Sequence, residues 1–245
     1  MQVSYYVINY DKCYGNYWMK EVIILDCGPS LEDVSREFGQ SPEWIMAVLE
    51  NTDCCFKCVK SYEGQTIEIN EGDAWIITGS PHSVNDDESW ISKLEDNIKM
   101  ASAIKKPVLG ICFGHQLIAK SFGGRVEVNP NGWELGSYSI NLTEHGKYSP
   151  LFQNMDDEII VYESHQDSVT IIPDGAIELA YNQKCIQAFQ LPDALYSVQF
   201  HPEFSLDVMK KYVSVRGSAG VPVDDPTVLK SFQGNLILHN FIKLI

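Results

Sequence analysis

The sequence predicts an α/β fold in which a mainly parallel central sheet is flanked by helices, with a small antiparallel addition. Apolar strand-like segments alternate with segments of helical periodicity in the first half of the chain, which is typical of parallel sheets covered on both faces. The second half has short strand-like segments separated by Gly, Pro, Asn and Asp, as in antiparallel structure. Hydrophobic residues make up 44% of the 245 residues and charged residues 21%, which suits one large core.

The first half supplies the elements of the parallel sheet. The apolar run at residues 21–26 ends in Cys-Gly-Pro, which is typical of a buried strand followed by a loop. Trp44, Ile45, Val48 and Leu49 have helical spacing and predict a helix. The elements that follow are predicted strands at 56–61 and 74–78, a helix at 88–104, a strand at 108–111 and a helix at 114–122.

The second half predicts shorter strands and a closing amphipathic helix. The segment 216–226 is rich in Gly, Pro and Asp and predicts a loop. No linker separates two domains, so we expect residues 19–245 to form a single domain, preceded by an extension at 1–18 whose role the sequence leaves open. The predicted strands are 126–128, 136–142, 159–163, 176–181, 186–190 and 196–200, and the closing helix is 236–245.

Charge and composition exclude several classes of partner. The formal net charge is −15, which repels a phosphate backbone or an anionic membrane, so we expect neither nucleic acid nor a membrane as a partner. The first eighteen residues lack the pattern of a signal peptide, and no stretch approaches the ~20 apolar residues that span a bilayer. The seven cysteines are scattered and odd in number, which favours reduced thiols. We therefore expect a cytoplasmic protein.

The segment Gly110-Ile-Cys112-Phe-Gly114 contains the candidate nucleophile. A predicted apolar strand runs through Gly-x-Cys-x-Gly directly into a predicted helix, which is the thiol version of a nucleophile elbow. Such a turn lifts its central side chain above the sheet, and the N-terminus of the following helix favours an anion there. The pattern alone is equally consistent with a core cysteine between two glycines.

A second motif supplies the partners that a cysteine nucleophile needs. In Val198-Gln-Phe-His201-Pro-Glu203 an apolar strand ends in a histidine that is followed two residues later by a carboxylate. The histidine can act as general base, and the carboxylate can orient its ring. Both motifs follow the C-terminal ends of predicted strands, where open α/β sheets place their sites. We expect Cys112, His201 and Glu203 to form a catalytic triad.

These motifs resemble the nucleophile and His/Glu signatures of class I glutamine amidotransferase domains, which have a flavodoxin-like fold. The resemblance covers about residues 19–245, with the motifs in the family order. It implies an oxyanion hole formed by the N–H groups of Gly79, in Ile-Ile-Thr-Gly-Ser-Pro, and of Phe113. It also implies that the substrate's α-amino and carboxylate end is bound by Gln116, Ser164, His165, Gln166 and Asp167. No metal or organic cofactor is expected.

The resemblance leaves three functions open. It is strongest to freestanding proteins related to the glutaminase domain of GMP synthase, a group that includes γ-glutamyl peptidases. That glutaminase usually has glycine where this chain has Gln166. The chain is expected to hydrolyse the γ-glutamyl amide bond of a small molecule, either glutamine or a γ-glutamyl peptide or conjugate, through a γ-glutamyl thioester on the cysteine. It could instead be a glutaminase subunit that delivers ammonia to a separate synthase, or a non-catalytic regulatory protein. The Cys-x-x-Cys pair at Cys55 and Cys58 lacks the second ligand pair of a zinc site.

Overall fold

A computed structural model describes residues 19–192 and 194–245, and the extension at 1–18 lies outside the described residues. A nine-stranded mixed sheet forms its centre. Its strands run in the order β2-β1-β3-β4-β11-β10-β9-β6-β7. The first five strands of this order are parallel, and the remaining neighbours are antiparallel. The fold class expected from the sequence is therefore confirmed.

The parallel half consists of strands with buried apolar residues on both faces. Along strand β1, Val22 and Ile24 pack into one apolar cluster, whereas Ile23 and Leu25 pack into another. Such alternation shows that both faces are covered, because neighbouring side chains of a strand point to opposite sides. The strands are β1 at Lys20–Asp26, β2 at Cys54–Lys60, β3 at Ala74–Ile77, β4 at Val108–Ile111 and β11 at Leu195–Val198.

Helices cover the two faces of this half. Helices α2 and α7 contribute Ile45 and Phe241 to the first cluster, and helices α3 and α4 contribute Ile91 and Leu117 to the second. Helix α6 packs in a third cluster, with Met209 fully buried. The helices are α1 at Glu32–Phe38, α2 at Ser41–Val48, α3 at Ser89–Ala103, α4 at Phe113–Ser121, α5 at Glu144–Tyr148, α6 at Leu206–Ser218 and α7 at Leu236–Ile242.

The antiparallel strands continue the central sheet and also form a small separate one. Strands β5 and β8 pair in this two-stranded sheet, as the predicted antiparallel addition requires. The strands are β5 at Arg125–Val128, β6 at Glu134–Leu142, β7 at Glu158–His165, β8 at Asp167–Ile171, β9 at Ile177–Tyr181 and β10 at Ile186–Leu191.

Helix α6 and three other elements of the structure differ from the sequence prediction. The segment 216–226, predicted as a loop, begins inside helix α6, which ends at Ser218. Ser205 caps this helix by accepting a hydrogen bond from the N–H of Val208 at 3.2 Å, and the buried Val208, Met209 and Tyr212 hold it on the sheet. Helices α1 and α5 and strand β8 were also not predicted. Among the described residues, no helix is both long and apolar enough to cross a membrane.

Candidate active site

Cys112 lies at a strained turn between strand β4 and helix α4. Its backbone has φ +51° and ψ −101°, which is unfavourable for any residue with a side chain. Small neighbours make the turn possible. A Cβ at Gly110 would lie 2.5 Å from the carbonyl oxygen of Gly114, and one at Gly114 would lie 2.6 Å from the carbonyl oxygen of Ile77. The turn has the form of a nucleophile elbow.

His201 follows strand β11 and is held from three sides. Its N–H donates to the carbonyl oxygen of Tyr162 at 2.8 Å, and its ring stacks on Phe204 with centroids 4.1 Å apart. Its Nδ1 lies 2.8 Å from Oε1 of Glu203. The hydroxyl of Ser41, on helix α2, donates to the same oxygen at 3.2 Å. Because Glu203 accepts the hydrogen bond from Nδ1, the other ring nitrogen remains for Cys112.

The charges around His201 favour its protonated form. Burial acts to lower the pKa of the ring, but Glu203 and Cys112 outweigh burial and raise it from 6.5 to about 10. A ring with this pKa is protonated at neutral pH. The imidazole beside the sulfur therefore carries a proton, as a general acid requires.

Gly79 lies where the loop after strand β3 meets the nucleophile and the base. A Cβ at this position would be 2.9 Å from Cε1 of His201 and 3.6 Å from Cβ of Cys112. Hydrogen bonds fix the loop on both sides of the glycine. The hydroxyl of Thr78 accepts from the N–H of Cys27 at 3.0 Å, and the hydroxyl of Ser80 donates to the carbonyl of Cys27 at 2.7 Å. Only glycine fits this position without displacing the histidine ring.

Three of the residues expected to bind the α-amino and carboxylate end meet at one carbonyl group. The carbonyl oxygen of Asp167 accepts from Nε2 of Gln116 at 2.8 Å and lies 2.9 Å from Nδ1 of His165. The carboxylate of Asp167 accepts from the hydroxyl of Ser83 at 2.7 Å. Gln166 is exposed at the turn between strands β7 and β8. These hydrogen bonds fix the conformation of the turn between strands β7 and β8.

Ser164 and His165 occupy different environments. Ser164 borders the site, and its buried hydroxyl makes no hydrogen bond with any described residue. The ring of His165 is buried, with Nε2 3.1 Å from Glu134 and 3.2 Å from Glu163. Burial acts to lower the pKa of this ring, but hydrogen bonding and the charges of its neighbours raise it well above the usual value. Both ring nitrogens of His165 thus face protein groups.

Two recesses meet at Cys112. The His201 recess is lined by Ser41, Trp44, His201, Glu203 and Tyr212, among others, and the Gln116 recess is lined by Ser83, Gln116, Trp133, Gln166 and Asp167, among others. Both recesses are also bordered by Ser80, Pro81, Cys112, Ser164 and Arg216. A substrate whose scissile bond lies at the sulfur can therefore extend to either side.

Arg216 is the cation at this junction. Its guanidinium lies over the rings of Trp133 at 5.1 Å and Tyr212 at 5.9 Å. Its Nε is buried and finds no hydrogen-bond partner within residues 19–192 and 194–245. Burial lowers the pKa of the guanidinium from its ordinary value, and an arginine side chain stays charged at neutral pH in proteins. A buried cation with an unused donor is well placed to bind an anion.

Comparisons with known proteins identify the family of the chain. The model of the family described as glutamine amidotransferase class-I matches residues 36–216, a range that includes every candidate site residue. The chain belongs to the class I glutamine amidotransferase family. It is 31% identical over 150 residues to γ-glutamyl peptidase 3 of Arabidopsis thaliana, covering 60% of each chain.

Other relatives of this amidotransferase chain extend the comparison. The chain is 43% identical over 133 residues to a glutamine-hydrolyzing GMP synthase subunit of Methanococcus vannielii, covering 53% of this chain and 64% of the relative. A solved structure titled as a glutamine amido transferase from Methylobacillus flagellatus matches with a TM-score of 0.73 and 23% identity, covering 92% of this chain and 95% of that one. At that identity the structural match supports the fold.

The amidotransferase chain brings together most residues that the sequence singled out, but not all that form the site. Cys112, His201 and Glu203 meet as expected, with Gly79 beside them. Ser41 and Arg216 were not anticipated. For Arg216 a signal existed, because Val208, Tyr212 and Arg216 have the four-residue spacing of one helix face. Ser41 gave no comparable signal, since 162 residues separate it from its partner Glu203.

Proposed function

We propose that this chain hydrolyses a γ-glutamyl amide through a γ-glutamyl thioester on Cys112, and that its substrate carries a carboxylate on the leaving amine. The observation that carries the second part is the unpartnered donor of Arg216 at the junction of the two recesses. The similarity to a γ-glutamyl peptidase supports the same class of substrate. A γ-glutamyl peptide has this chemistry.

The reaction starts from the protonated ring of His201 beside the sulfur of Cys112. The sulfur attacks the γ-carbonyl carbon, a C–S bond forms, and the carbonyl electron pair moves to the oxygen. His201 then gives its proton to the nitrogen of the leaving amine as the C–N bond breaks. Water attacks the thioester, His201 accepts a proton from that water, and the C–S bond breaks to release glutamate and restore the thiolate beside the protonated ring. Glu203 keeps the ring oriented through the 2.8 Å contact.

The oxyanion is stabilised by two backbone donors. The N–H of Phe113 is at the N-terminus of helix α4, and Gly79 is on the loop opposite. One such donor contributes about 3–4 kcal/mol to transition-state stabilisation in a hydrolase. Because both groups are backbone, their positions depend on the glycines that let strand β3, strand β4 and helix α4 approach closely.

The two parts of the substrate on either side of the scissile bond occupy different recesses. His201 borders the first recess and must reach the leaving nitrogen, so the leaving group occupies the His201 recess. The γ-glutamyl part then occupies the Gln116 recess, where Gln116, Ser164, His165, Gln166 and Asp167 line the wall. Arg216 borders both recesses and reaches a carboxylate that follows the scissile bond. Its stacking on two aromatic rings fixes the guanidinium in place.

A pair of substrates tests this assignment directly. γ-Glutamylglycine and its C-terminal amide differ only in the charge that Arg216 is proposed to bind. Charged hydrogen bonds contribute about 1.5–3 kcal/mol, so the wild-type protein should favour the carboxylate form ~10- to 100-fold in kcat/KM. The Arg216→Gln variant should lose this preference. Lys210→Gln serves as the matched control, because Lys210 is an exposed cation on the same helix.

Three results would contradict the proposal. Equal kcat/KM for both substrates in the wild-type protein would show that the site does not recognise a carboxylate on the leaving amine. An Arg216→Gln variant that keeps the preference would assign it to another residue. An Arg216→Gln variant that loses activity equally on both substrates would indicate that Arg216 binds the γ-glutamyl part of the substrate.

A glutaminase subunit is the second candidate, and the similarity to a GMP synthase subunit favours it. In that case the leaving group is ammonia, and glutamine is the substrate. The purified chain would then release glutamate slowly until a synthase partner binds. Rapid turnover of the γ-glutamyl dipeptide by the isolated chain supports the peptidase, whereas activity on glutamine only in the presence of a co-purifying synthase supports the glutaminase role.

A further inference from the structure

Four side chains that exchange no bond or proton in the proposed reaction converge in the antiparallel half of the sheet. We call them the Glu134 cluster, and they are Glu134, Glu163, His165 and Cys185. Glu134 is directly opposite His165 in the pairing of strands β6 and β7, and Glu163 lies two residues before His165 on the same face of strand β7. Cys185 immediately precedes strand β10. Both carboxylates are fully buried, His165 is 4% exposed, and Cys185 is partly buried.

The cluster presents four possible metal donors at short range. Nε2 of His165 lies 3.1 Å from Oε2 of Glu134 and 3.2 Å from Oε2 of Glu163. Sγ of Cys185 lies 3.0 Å from the same oxygen of Glu134. The donor atoms of Glu134, His165 and Cys185 all lie within 4.8 Å of one another. One nitrogen, one sulfur and one carboxylate oxygen therefore face a common point, and the carboxylate of Glu163 contacts the same nitrogen.

The orientation of His165 is that of a metal ligand. Its Nδ1 lies 2.9 Å from the carbonyl oxygen of Asp167, and a carbonyl only accepts, so this nitrogen carries a proton. Metal-binding histidines make the same contact, which directs the lone pair of the other nitrogen at the metal. Nε2 faces both carboxylates, at 3.1 Å from Oε2 of Glu134 and 3.2 Å from Oε2 of Glu163. A metal ion bound by this nitrogen would take the place of its proton.

Glu163 gives a second indication that the cluster takes a cation. Both of its oxygens are buried, and in the described part of the chain their one short contact is that of Oε2 with Nε2 of His165 at 3.2 Å. A buried carboxylate with so few partners is unfavourable. Glu134, in contrast, accepts from the side-chain amides of Asn182 at 2.5 Å and of Gln187 at 3.1 Å. A cation on the axis of His165 would satisfy Glu163.

The types of donor atom in the cluster favour zinc over calcium and magnesium. Calcium and magnesium take oxygen ligands, so the thiol and the imidazole disfavour both. Zinc accepts sulfur, nitrogen and oxygen in a tetrahedral site, with ligand distances near 2.0–2.3 Å that separate the donors by about 3.3–3.8 Å. The donor atoms of the cluster are separated by 3.0–3.2 Å in the three contacts given above, which is a few tenths of an ångström shorter than in a zinc site. We propose that Glu134, Glu163, His165 and Cys185 bind a structural zinc ion.

Access and charge are compatible with this ion. Cys185 borders a surface recess that is also lined by Thr170, Asn182 and Lys184, which provides a route to the cluster. Binding requires the thiolate of Cys185 and an unprotonated Nε2 on His165, so a proton leaves each of these groups as the metal arrives. The ion links strands β6 and β7 to the start of strand β10. It holds the end of strand β7, which carries Ser164, without entering the proposed reaction.

The test uses the Cys112→Ala background, because the triad could itself bind zinc. Purified protein is dialysed against zinc and then against metal-free buffer, and its zinc content and thermal midpoint are measured. We expect one zinc ion per chain and a higher midpoint with zinc. Adding Cys185→Ser should abolish both effects, whereas adding Cys58→Ser, which removes a partly buried cysteine outside the cluster, should leave them unchanged.

Cobalt gives a second measurement that does not depend on stability. A cobalt-loaded chain should show the thiolate-to-metal absorption in the Cys112→Ala and Cys112→Ala/Cys58→Ser proteins, and not in the Cys112→Ala/Cys185→Ser protein. Zinc well below one ion per chain with an unchanged midpoint would overturn the proposal, and a proton on His165 would then be the cation of the cluster. Equal zinc binding by the Cys185→Ser protein would also overturn it.

Discussion

Replacing Gly114 with alanine tests the physical account of the elbow. A Cβ at this position would lie 2.6 Å from the carbonyl oxygen of Ile77 and 2.9 Å from the Cβ of Ile77. Comfortable contacts between such atoms begin near 3.5 Å. Since one contact is to backbone, a rotamer change cannot relieve it. Helix α4 must therefore move away from strand β3 by several tenths of an ångström, and by up to about 1 Å.

This displacement separates the two sides of the oxyanion hole. Phe113 and Cys112 move with helix α4, whereas Gly79 stays with the loop that follows strand β3. A misplacement of about 1 Å can lower a rate ~100-fold, and overpacking of a close contact costs about 1–3 kcal/mol. We expect kcat for glutamate release from γ-glutamylglycine to fall ~100-fold, and the free energy of unfolding measured in urea to fall by about 1–3 kcal/mol.

Gly175→Ala is the matched control for loss of stability alone. Gly175 has φ +79°, and no atom of the described residues lies within 4 Å of a Cβ built there. Alanine in this left-handed conformation costs about 1–2 kcal/mol but displaces nothing near Cys112. The control should keep the wild-type kcat. A Gly114→Ala protein with wild-type kcat, or a Gly175→Ala protein that loses as much activity, would refute the reasoning.

Two further predictions concern the setting of His201. In an NMR titration the ring should remain protonated up to a pKa of about 10, and Glu203→Gln should lower that pKa, because it removes the largest interaction that raises it. The stabilisation linked to this ring is complete below pH 6.5 and is lost as the pH rises through about 10. A pKa unchanged by Glu203→Gln would contradict the assignment. Ser41→Ala removes the 3.2 Å hydrogen bond to Glu203, and a bond worth about 1 kcal/mol should lower kcat ~5-fold. An unchanged kcat would show that Ser41 does not help to position Glu203.

The sequence predicted the parts of the site that local patterns encode. The elbow at Cys112 is visible because a strand, two glycines and a helix follow one another directly. The His201 motif is visible for a similar reason, since a carboxylate two residues from a histidine can reach its ring without help from distant residues. These elements depend on short-range geometry, which a single sequence contains.

The remaining features depend on how distant segments pair. The surroundings of His165 follow from the register of strands β6 and β7, which places Glu134 opposite its ring. The sequence indicated a position near the substrate but gave no sign of the buried carboxylates. Helix α6 was missed because basic residues and Gly217 weaken its amphipathic pattern. Arg216 was therefore assigned to a loop, although its stacking on Trp133 makes it a fixed part of the site.

The most direct test of the central claim is to trap the acyl-enzyme. The protein is mixed with γ-glutamylglycine, quenched in acid within one turnover, digested and analysed by mass spectrometry. We expect the peptide that contains Cys112 to gain the mass of one γ-glutamyl group, and the His201→Asn protein to accumulate little of it. Turnover without an adduct on Cys112, or an adduct confined to another cysteine, would contradict the assignment of Cys112 as the nucleophile.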